Sequence, residues 1–402
     1  MESNNISKIT EDLFLNTPDN ITGVWYGYKN KEGRITNELS IIFNVKEKLP
    51  IEQIPDDELL PKEIMVNGKM VKTDVISENF RVFEECPSDF YYWTGSTPDN
   101  RKKVRPFQGG LQITNFTSLN GYYGTLGFLA EDVETNSLVG VTNNHVIIDD
   151  AFINSERINS TPTTNIAGDS IIQPSSASTD TIGVVKRYYP MYENGINYVD
   201  AALLTINSDI VDSNISYRQL NLTGYTGPLE FATTSEIDNL LSNNPNLFSS
   251  GARTGNKGEG DMKLLPFSIG STQAVGGYNK QGSEYVVNFS DCIVFVASAA
   301  TTPDGFICSY PINSGDSGSA LLANLGGVRK IIGLCFAGST FYGIANRIDR
   351  VANSLKIRSW TGQTTNYSDI NNIQTVCLTN SSSDLTKTVG GNIYWQVGGC
   401  EI

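Results

Sequence analysis

The sequence predicts a mainly β protein built from barrels or sandwiches. Many short runs are rich in β-branched and aromatic residues, and clusters of Gly, Asn, Asp and Pro separate them. Short strands at this spacing favour antiparallel barrels or sandwiches over a parallel α/β sheet. The predicted strands are residues 38–45, 72–77, 122–130, 138–142, 181–185, 201–206, 285–289, 292–297, 318–323 and 330–336.

Helical periodicity is convincing in two places. Residues 233–241 open with Thr233 followed three residues later by Glu236, which is the capping-box pattern of a helix start. Further on, Ile344, Ile348, Val351 and Leu355 repeat every three or four residues and predict one apolar helical stripe.

The length of 402 residues is enough for two or three domains. Residues 1–108 differ from the rest by their Lys and Glu content and by prolines in an acidic loop, and they predict a small α/β or β-rich module. We expect it to serve in packing or oligomerisation. Residues 359–402 are predicted to be a polar C-terminal extension.

Composition excludes several classes of function. The net charge is −14 without any basic tract, so nucleic acid is not an expected partner. No apolar run reaches the roughly 20 residues that cross a bilayer, and the first thirty residues lack a signal-peptide pattern. We therefore expect a cytoplasmic protein that does not bind membranes. The six cysteines show no CxxC spacing and are expected to be reduced thiols.

The chain contains one histidine, His145. A metal site with two or three histidine ligands is therefore impossible within one chain, and we expect neither a metal nor an organic cofactor. Any acid–base chemistry that uses an imidazole must run through this residue.

The segment GDSGS, residues 315–319, has the composition of a tight turn that exposes a hydroxyl. Glycines flank Ser317 and Asp316 precedes it, so Ser317 is a candidate nucleophile. The backbone N–H groups of Gly315 and Ser317 would converge on the oxyanion of a tetrahedral intermediate. A Gly- and Ser-rich loop without function is the alternative for this segment taken alone.

A serine nucleophile needs a general base, and the base needs a carboxylate that holds its tautomer. His145, in TNNHV, is the available imidazole. Asp200, in VDAALL, precedes an apolar strand where a carboxylate is poorly solvated and needs a donor. Asp149 and Asp150 compete by proximity in sequence, but their position favours solvent.

The order His, Asp, Ser in TNNHV, VDAALL and GDSGSALL resembles the trypsin-like, chymotrypsin-fold serine peptidases. Several segments look more specifically like the narrow-leaf-type trypsin-like peptidases. This resemblance implies a chymotrypsin-like double β-barrel with a first barrel at 109–228 and a second at 229–358, a homo-oligomer, and the triad His145, Asp200 and Ser317. The matching segments are GVWYGYKNKEGRITNELSIIFNVKEKLP at 23–50, GDSIIQP at 168–174, SGARTG at 250–255 and IGLCFAGS at 332–339.

The same resemblance suggests a substrate-binding site. Pro311 stands six residues before the nucleophile, where trypsin carries the Asp that binds basic side chains, so cleavage after Arg or Lys is not expected. Gly338 and Gly343 correspond to small residues on the walls of the specificity pocket, which favours an apolar or medium-sized residue there. The strand from Phe336 to Gly338 would pair with the substrate backbone.

The sequence therefore predicts a serine endopeptidase acting on proteins or peptides. Two alternatives remain: a scaffold or binding protein on a peptidase fold, and a peptidase dedicated to one partner protein in bacterial regulation or defence. The long N-terminal module argues against activation by a freed N-terminus, which in secreted trypsins pairs with the aspartate before the nucleophile. Asp316 then needs another partner.

Overall fold

The chain folds mainly into β-strands, which confirms the predicted fold class. The computed structural model describes residues 4–31, 34–81, 99–116, 123–148, 169–174, 180–189, 191–192, 195–225, 227–259, 263–278, 284–298, 311–360, 386–389 and 392–395. The helices are α1 Asn4–Leu15, α2 Asn144–Ile147, α3 Thr234–Asp238, α4 Leu240–Asn243 and α5 Ile348–Leu355. The strands are β1 Ile21–Lys31, β2 Arg34–Val45, β3 Glu63–Val66, β4 Lys69–Ile76, β5 Gln112–Asn115, β6 Gly124–Thr125, β7 Phe128–Asp132, β8 Ser137–Thr142, β9 Ser170–Ile172, β10 Thr181–Tyr188, β11 Ile196–Asn197, β12 Ala202–Thr205, β13 Glu230–Phe231, β14 Leu247–Gly251, β15 Gly255–Lys257, β16 Lys263–Tyr278, β17 Glu284–Ser298, β18 Ala320–Leu325, β19 Val328–Gly338, β20 Tyr342–Arg347, β21 Ile357–Ser359, β22 Thr386–Val389 and β23 Asn392–Trp395.

An eight-stranded sheet forms the first half of the double barrel, in the order β21, β7, β8, β12, β10, β9, β5, β6. Its neighbours are antiparallel, and β12 lies between β8 and β10. Apolar side chains fill its interior, and each fully buried Leu or Ile contributes about 1.5–3 kcal/mol. They include Phe107, Leu111, Ile113, Leu126, Ile171, Ile182 and Leu204.

A thirteen-stranded sheet forms the second half. Within it, β14, β16, β17, β20, β19 and β18 close into a ring, since β16 pairs with both β14 and β17 and β18 pairs with both β14 and β19. The two sheets are curled and together resemble a double β-barrel.

The N-terminal strands extend this second sheet. β1 pairs with β16 from Gly23 opposite Thr272 to Gly27 opposite Ser268, and β2, β4 and β3 follow outward. The α/β module is therefore joined to the ring by backbone hydrogen bonds. The boundaries at residues 108, 228 and 358 stay predictions.

Helix α1 was not expected from the sequence. Its Ser7 donates a hydrogen bond to Asp291 at 2.5 Å, and its Glu11 accepts hydrogen bonds from Ser290 at 2.5 Å and from the Tyr198 hydroxyl at 3.2 Å. The helix thus contacts both the ring strand β17 and the segment that leads into Asp200. No helix in the described ranges is long and apolar enough to span a membrane.

The structure confirms the start of one predicted helix, whose residues 233–241 divide at Asn239 into α3 and α4, and it differs from the other. Thr233 caps α3 and forms the full capping box with Glu236, as predicted. The stripe from Ile344 to Leu355 is not one helix, because Ile344 lies in β20 and α5 begins only at Ile348. Every residue of β20 is buried, and Ile344 lies four residues before Ile348, so a strand residue matches the helical spacing.

Two strand predictions also change. Residues 285–289 and 292–297 belong to the single strand β17, in which Asp291 has a φ of 57° and marks an irregularity rather than a strand end. Residues 124–130 divide into β6 and β7, and Tyr122 lies outside the described residues. The cysteines at 86, 308, 377 and 400 and most of the C-terminal extension also lie outside them.

Candidate active site

His145 and Asp200 lie together at the end of the eight-stranded sheet. His145 sits in the short helix α2, which begins two residues after β8 ends at Thr142, and Asp200 precedes β12. Because β8 and β12 are neighbours, the two residues meet: the ring Nδ1 contacts Asp200 Oδ2, and the His145 backbone N–H donates to Asp200 Oδ1 at 3.2 Å. Both side chains are fully buried.

Two asparagines fix the backbone at Asp200. The Asn143 side chain donates to the Asp200 carbonyl at 2.6 Å. The Asp200 N–H donates to the Asn346 side-chain oxygen at 2.9 Å, and the Asn346 amide donates to the Tyr198 carbonyl at 3.4 Å. Asn346 lies in β20, so the second sheet holds the backbone of Asp200, whose carboxylate contacts the imidazole on the first sheet.

Ser317 lies in a tight turn before β18, as the sequence predicts. Gly315 and Gly318 have φ values of 93° and 90°, a region that glycine adopts without strain. The turn is fixed on one side by the Gly318 N–H, which donates to the Cys335 carbonyl at 2.8 Å. On the other side Thr125 donates its N–H to the Ser317 carbonyl and its hydroxyl to the Gly315 carbonyl, both at 2.8 Å.

The turn packs directly against the segment that carries His145. A Cβ placed on Gly318 would lie 2.3 Å from the Thr142 hydroxyl and 3.3 Å from the Asn143 nitrogen. Only glycine allows this approach. The structure therefore brings His145 and Asp200 into contact and places the Ser317 turn against the residues just before His145.

Asp316 has a buried cationic partner that the sequence analysis did not identify. The Lys257 ammonium lies 3.5 Å from Asp316 Oδ2, and its side chain is 7% exposed. The backbone N–H groups of Arg253, Thr254 and Asn313 also donate to the carboxylate, at 2.9, 3.0 and 3.1 Å. A charge taken out of water needs such partners, and here they come from within the folded chain.

The sequence contains a motif at one end of this contact, but the motif does not indicate its partner. The segment SGARTG, residues 250–255, was recognised as a family-like motif but given no role. Arg253 and Thr254 of this motif, together with Lys257, surround the Asp316 carboxylate and form what we call its cradle.

The backbone groups proposed for the oxyanion hole belong to a fixed turn. The peptide between Gly315 and Asp316 is held at both ends, since Thr125 binds its carbonyl and its N–H donates to the Asn313 carbonyl at 2.8 Å. A Cβ on Gly315 would lie 2.6 Å from the Tyr123 ring, so a side chain is excluded here.

The predicted substrate-binding residues lie around the Ser317 turn. Pro311 is buried and its carbonyl accepts a hydrogen bond from the Lys257 ammonium at 3.1 Å. Phe336 and Gly338 lie in β19, and Gly343 lies opposite Gly338 in β20. Their roles in substrate binding stay predictions.

Two bulky side chains fill the space beside these glycines. A Cβ on Gly338 would meet Ile312 Cγ2 at 2.2 Å, and one on Gly343 would meet the Phe295 ring at 2.4 Å. The room that two glycines leave is therefore taken by neighbouring side chains.

The cysteines of the described ranges are poorly suited to act as nucleophiles. Cys292 and Cys335 are buried free thiols. Burial raises the pKa of Cys335 to about 12 and raises that of Cys292 as well, so neither forms a thiolate near neutral pH. Over the same ranges, no group of three or more His, Cys, Asp and Glu side chains could hold a metal ion.

No protein-family model and no curated protein matches this sequence. Among solved structures it is similar to protease A from Thermobifida fusca, with 16% identity and a TM-score of 0.36 over 63% of this chain and 98% of that one. A Nocardiopsis protease is 17% identical with a TM-score of 0.36, and Cellulomonas bogoriensis chymotrypsin is 13% identical with a TM-score of 0.33. Each comparison covers 63% of this chain and 98% of the other. The chain is a mainly β protein of two curled sheets. The similar structures are named as proteases, and one of them is a chymotrypsin.

Proposed function

We propose that the protein is a serine endopeptidase whose catalytic residues are His145, Asp200 and Ser317. The observation that carries this proposal is the buried contact between His145 and Asp200, beside a glycine-flanked serine turn. The chain has no second imidazole, so the base position is taken by its sole histidine.

The geometry supports one division of roles. Since His145 Nδ1 faces Asp200, the ring's Nε2 is the atom that takes the Ser317 proton as the hydroxyl attacks a peptide carbonyl. His145 then protonates the leaving amine, and water repeats the sequence to release the acyl group. Asp200 orients the ring and stabilises its protonated form, while the amides of Gly315 and Ser317 stabilise the oxyanion.

The specificity pocket is proposed to take a small or medium apolar residue before the scissile bond. Pro311 supplies no carboxylate at the floor, and its carbonyl binds the Lys257 ammonium, which disfavours a second cation there. Ile312 and Phe295 occupy the space beside Gly338 and Gly343. A peptide-library profile with a strong Arg or Lys preference at this position would contradict the proposal.

A serine-reactive fluorophosphonate tests the nucleophile. The native protein is expected to be labelled at Ser317, as located by peptide mass spectrometry, and Ser317→Ala to remain unlabelled. Ser314→Ala is the matched control, because it removes a hydroxyl from the same turn and is expected to keep the labelling. Equal labelling of native protein and Ser317→Ala would exclude the assignment.

The finer expectations stay part of this proposal. They are membership of the narrow-leaf-type peptidases, a cytoplasmic location, homo-oligomerisation, and a substrate that is a protein or peptide. One variant of this proposal is a peptidase that serves a dedicated partner protein. That variant predicts probe labelling together with low turnover of a denatured protein mixture.

A further inference from the structure

The chain's own residues 78–81 lie on the edge of β19 where a substrate is expected. The Arg81 N–H donates to the Gly338 carbonyl at 2.9 Å, and the Gly338 N–H donates to the Arg81 carbonyl at 3.0 Å. Arg81 and Gly338 thus form an antiparallel bridge outside the named strands. Main-chain pairing of this kind is how extended peptides add to a sheet edge.

The direction of this segment is that of a substrate. β19 runs away from Ser317 in its N-to-C direction. The Cys335 carbonyl accepts a hydrogen bond from the Gly318 N–H, next to Ser317, and Gly338 lies three residues further along the strand. A chain antiparallel to β19 at Gly338 therefore runs toward Ser317 in its N-to-C direction. The part of a substrate that precedes its scissile bond must run the same way to present its carbonyl to Ser317.

The segment is also anchored to the N-terminal module. Phe80 is 1% exposed and its ring lies 5.4 Å from Trp25 and 6.3 Å from Tyr342, both centroid to centroid. Its carbonyl accepts a hydrogen bond from the Val275 N–H at 2.8 Å. The Glu78 N–H donates to the Asn44 side-chain oxygen at 2.8 Å, which ties the start of the segment to β2.

We infer that residues 78–81 act as a peptide ligand bound in cis at the Gly338 edge, so that an extended substrate must displace them to bind there. The inference rests on the proposed function, because it concerns access to the same site. The ligand class is an extended peptide backbone, and the competing group is the backbone of Arg81.

Two probes of different length separate this inference from the proposed function. A small alkyl fluorophosphonate needs only Ser317 and its base, whereas a tripeptidyl diphenyl phosphonate with a small apolar residue at the reacting position also needs the β19 edge. Arg81→Pro removes the N–H that binds Gly338, and Arg81→Ala keeps both backbone hydrogen bonds as the matched control.

The tripeptidyl probe is expected to react about tenfold faster with Arg81→Pro than with the native protein or Arg81→Ala, the effect of weakening one or two backbone hydrogen bonds. The small probe is expected to react equally with all three. Equal tripeptidyl rates in all three proteins would overturn the inference while leaving the proposed function intact. Absence of labelling by the small probe would overturn the proposed function and this inference with it.

Hydrogen exchange of the native protein gives a second test that needs no variant. When the tripeptidyl phosphonate is attached to Ser317, the Arg81 amide is expected to lose its protection while the Gly338 amide keeps it, because the probe backbone replaces Arg81. An Arg81 amide that stays protected in the labelled protein would overturn the inference even if Arg81→Pro failed to fold.

Discussion

Two buried aspartates near the site are held in opposite ways. Asp200 contacts the His145 ring and backbone, and among the described residues no lysine or arginine pairs with it. Asp316 is paired with Lys257 and accepts three backbone N–H groups as well. Asp200 therefore has a cationic partner only when the His145 imidazole is protonated, whereas Asp316 is always paired with the Lys257 ammonium.

Under the proposed function, this difference distinguishes a catalytic carboxylate, Asp200, from a structural one, Asp316. The Asp200 carboxylate attracts the His145 ring electrostatically once the ring is protonated. It would therefore stabilise the imidazolium that forms during the reaction. The Asp316 carboxylate, which Lys257 neutralises, instead stabilises the conformation of the Ser317 turn. We expect changes at Asp200 to act on the rate and changes at Asp316 to act on stability.

The largest expected effect is on turnover in Asp200→Asn. The amide preserves the shape but cannot hold the imidazole in the required tautomer, and in the chymotrypsin class the corresponding change lowers kcat about 10⁴-fold. Steady-state kinetics on a cleaved peptide measures it, with the midpoint of urea unfolding expected to change little. A loss of less than tenfold would show that Asp200 is not the orienting acid.

Asp316→Ala is expected to lower the free energy of unfolding by about 3–5 kcal/mol, because it leaves the buried Lys257 ammonium without its counter-charge. Urea unfolding measures the loss, and Asp209→Ala, at an exposed aspartate, is the control. An unchanged stability would mean that the cradle around Asp316 is not structural, and the comparison with Asp200 would fail.

A smaller effect is expected from Asn346→Ala, which removes the acceptor of the buried Asp200 N–H. An unsatisfied buried donor costs about 1–3 kcal/mol, and we expect kcat to fall about tenfold. Because Asn346 acts through Asp200, KM should stay constant. A rise in KM with constant kcat would indicate a role in substrate binding instead.

Acid sensitivity is expected to be the smallest effect. At Asp349 burial raises the carboxyl pKa, but the hydrogen bonds and charge of Arg347 outweigh it, and the pKa ends below its ordinary value of 3.8. The folded state therefore favours the ionised form, so this stabilisation is complete above about pH 4 and is lost as the pH falls through the lower folded value. Asp349→Asn should flatten that part of the stability profile in acid-induced unfolding. An unchanged slope would contradict this account.

The sequence predicted what local motifs encode. The turn at Ser317 and the capping box at Thr233 each follow from short patterns whose physical cause lies within a few residues. Runs of β-branched and aromatic residues also predicted ten of the observed strands, but not β1, β14, β16 and β20 of the second sheet.

Contacts between distant segments left no comparable signal. Lys257 lies 59 residues before Asp316, and its role depends on how β15 is placed against the turn. The bridge between Arg81 and Gly338 is made by backbone atoms, which every residue carries, so no side chain marks it. Helix α1 is short, and its packing against the strands decides its stability more than its own propensity does.

Helix α1 joins the segment that leads into Asp200 to the ring strand β17. Through Glu11 it binds Tyr198, two residues before Asp200, and through Ser7 it binds Asp291 on the ring. A shorter protein made from a later start codon, or one trimmed by another protease, would retain every proposed catalytic residue but lose this connection. Under the proposed function, we therefore expect the choice of N-terminus to affect activity, and an affinity tag that disturbs the first helix would be a poor design for assays.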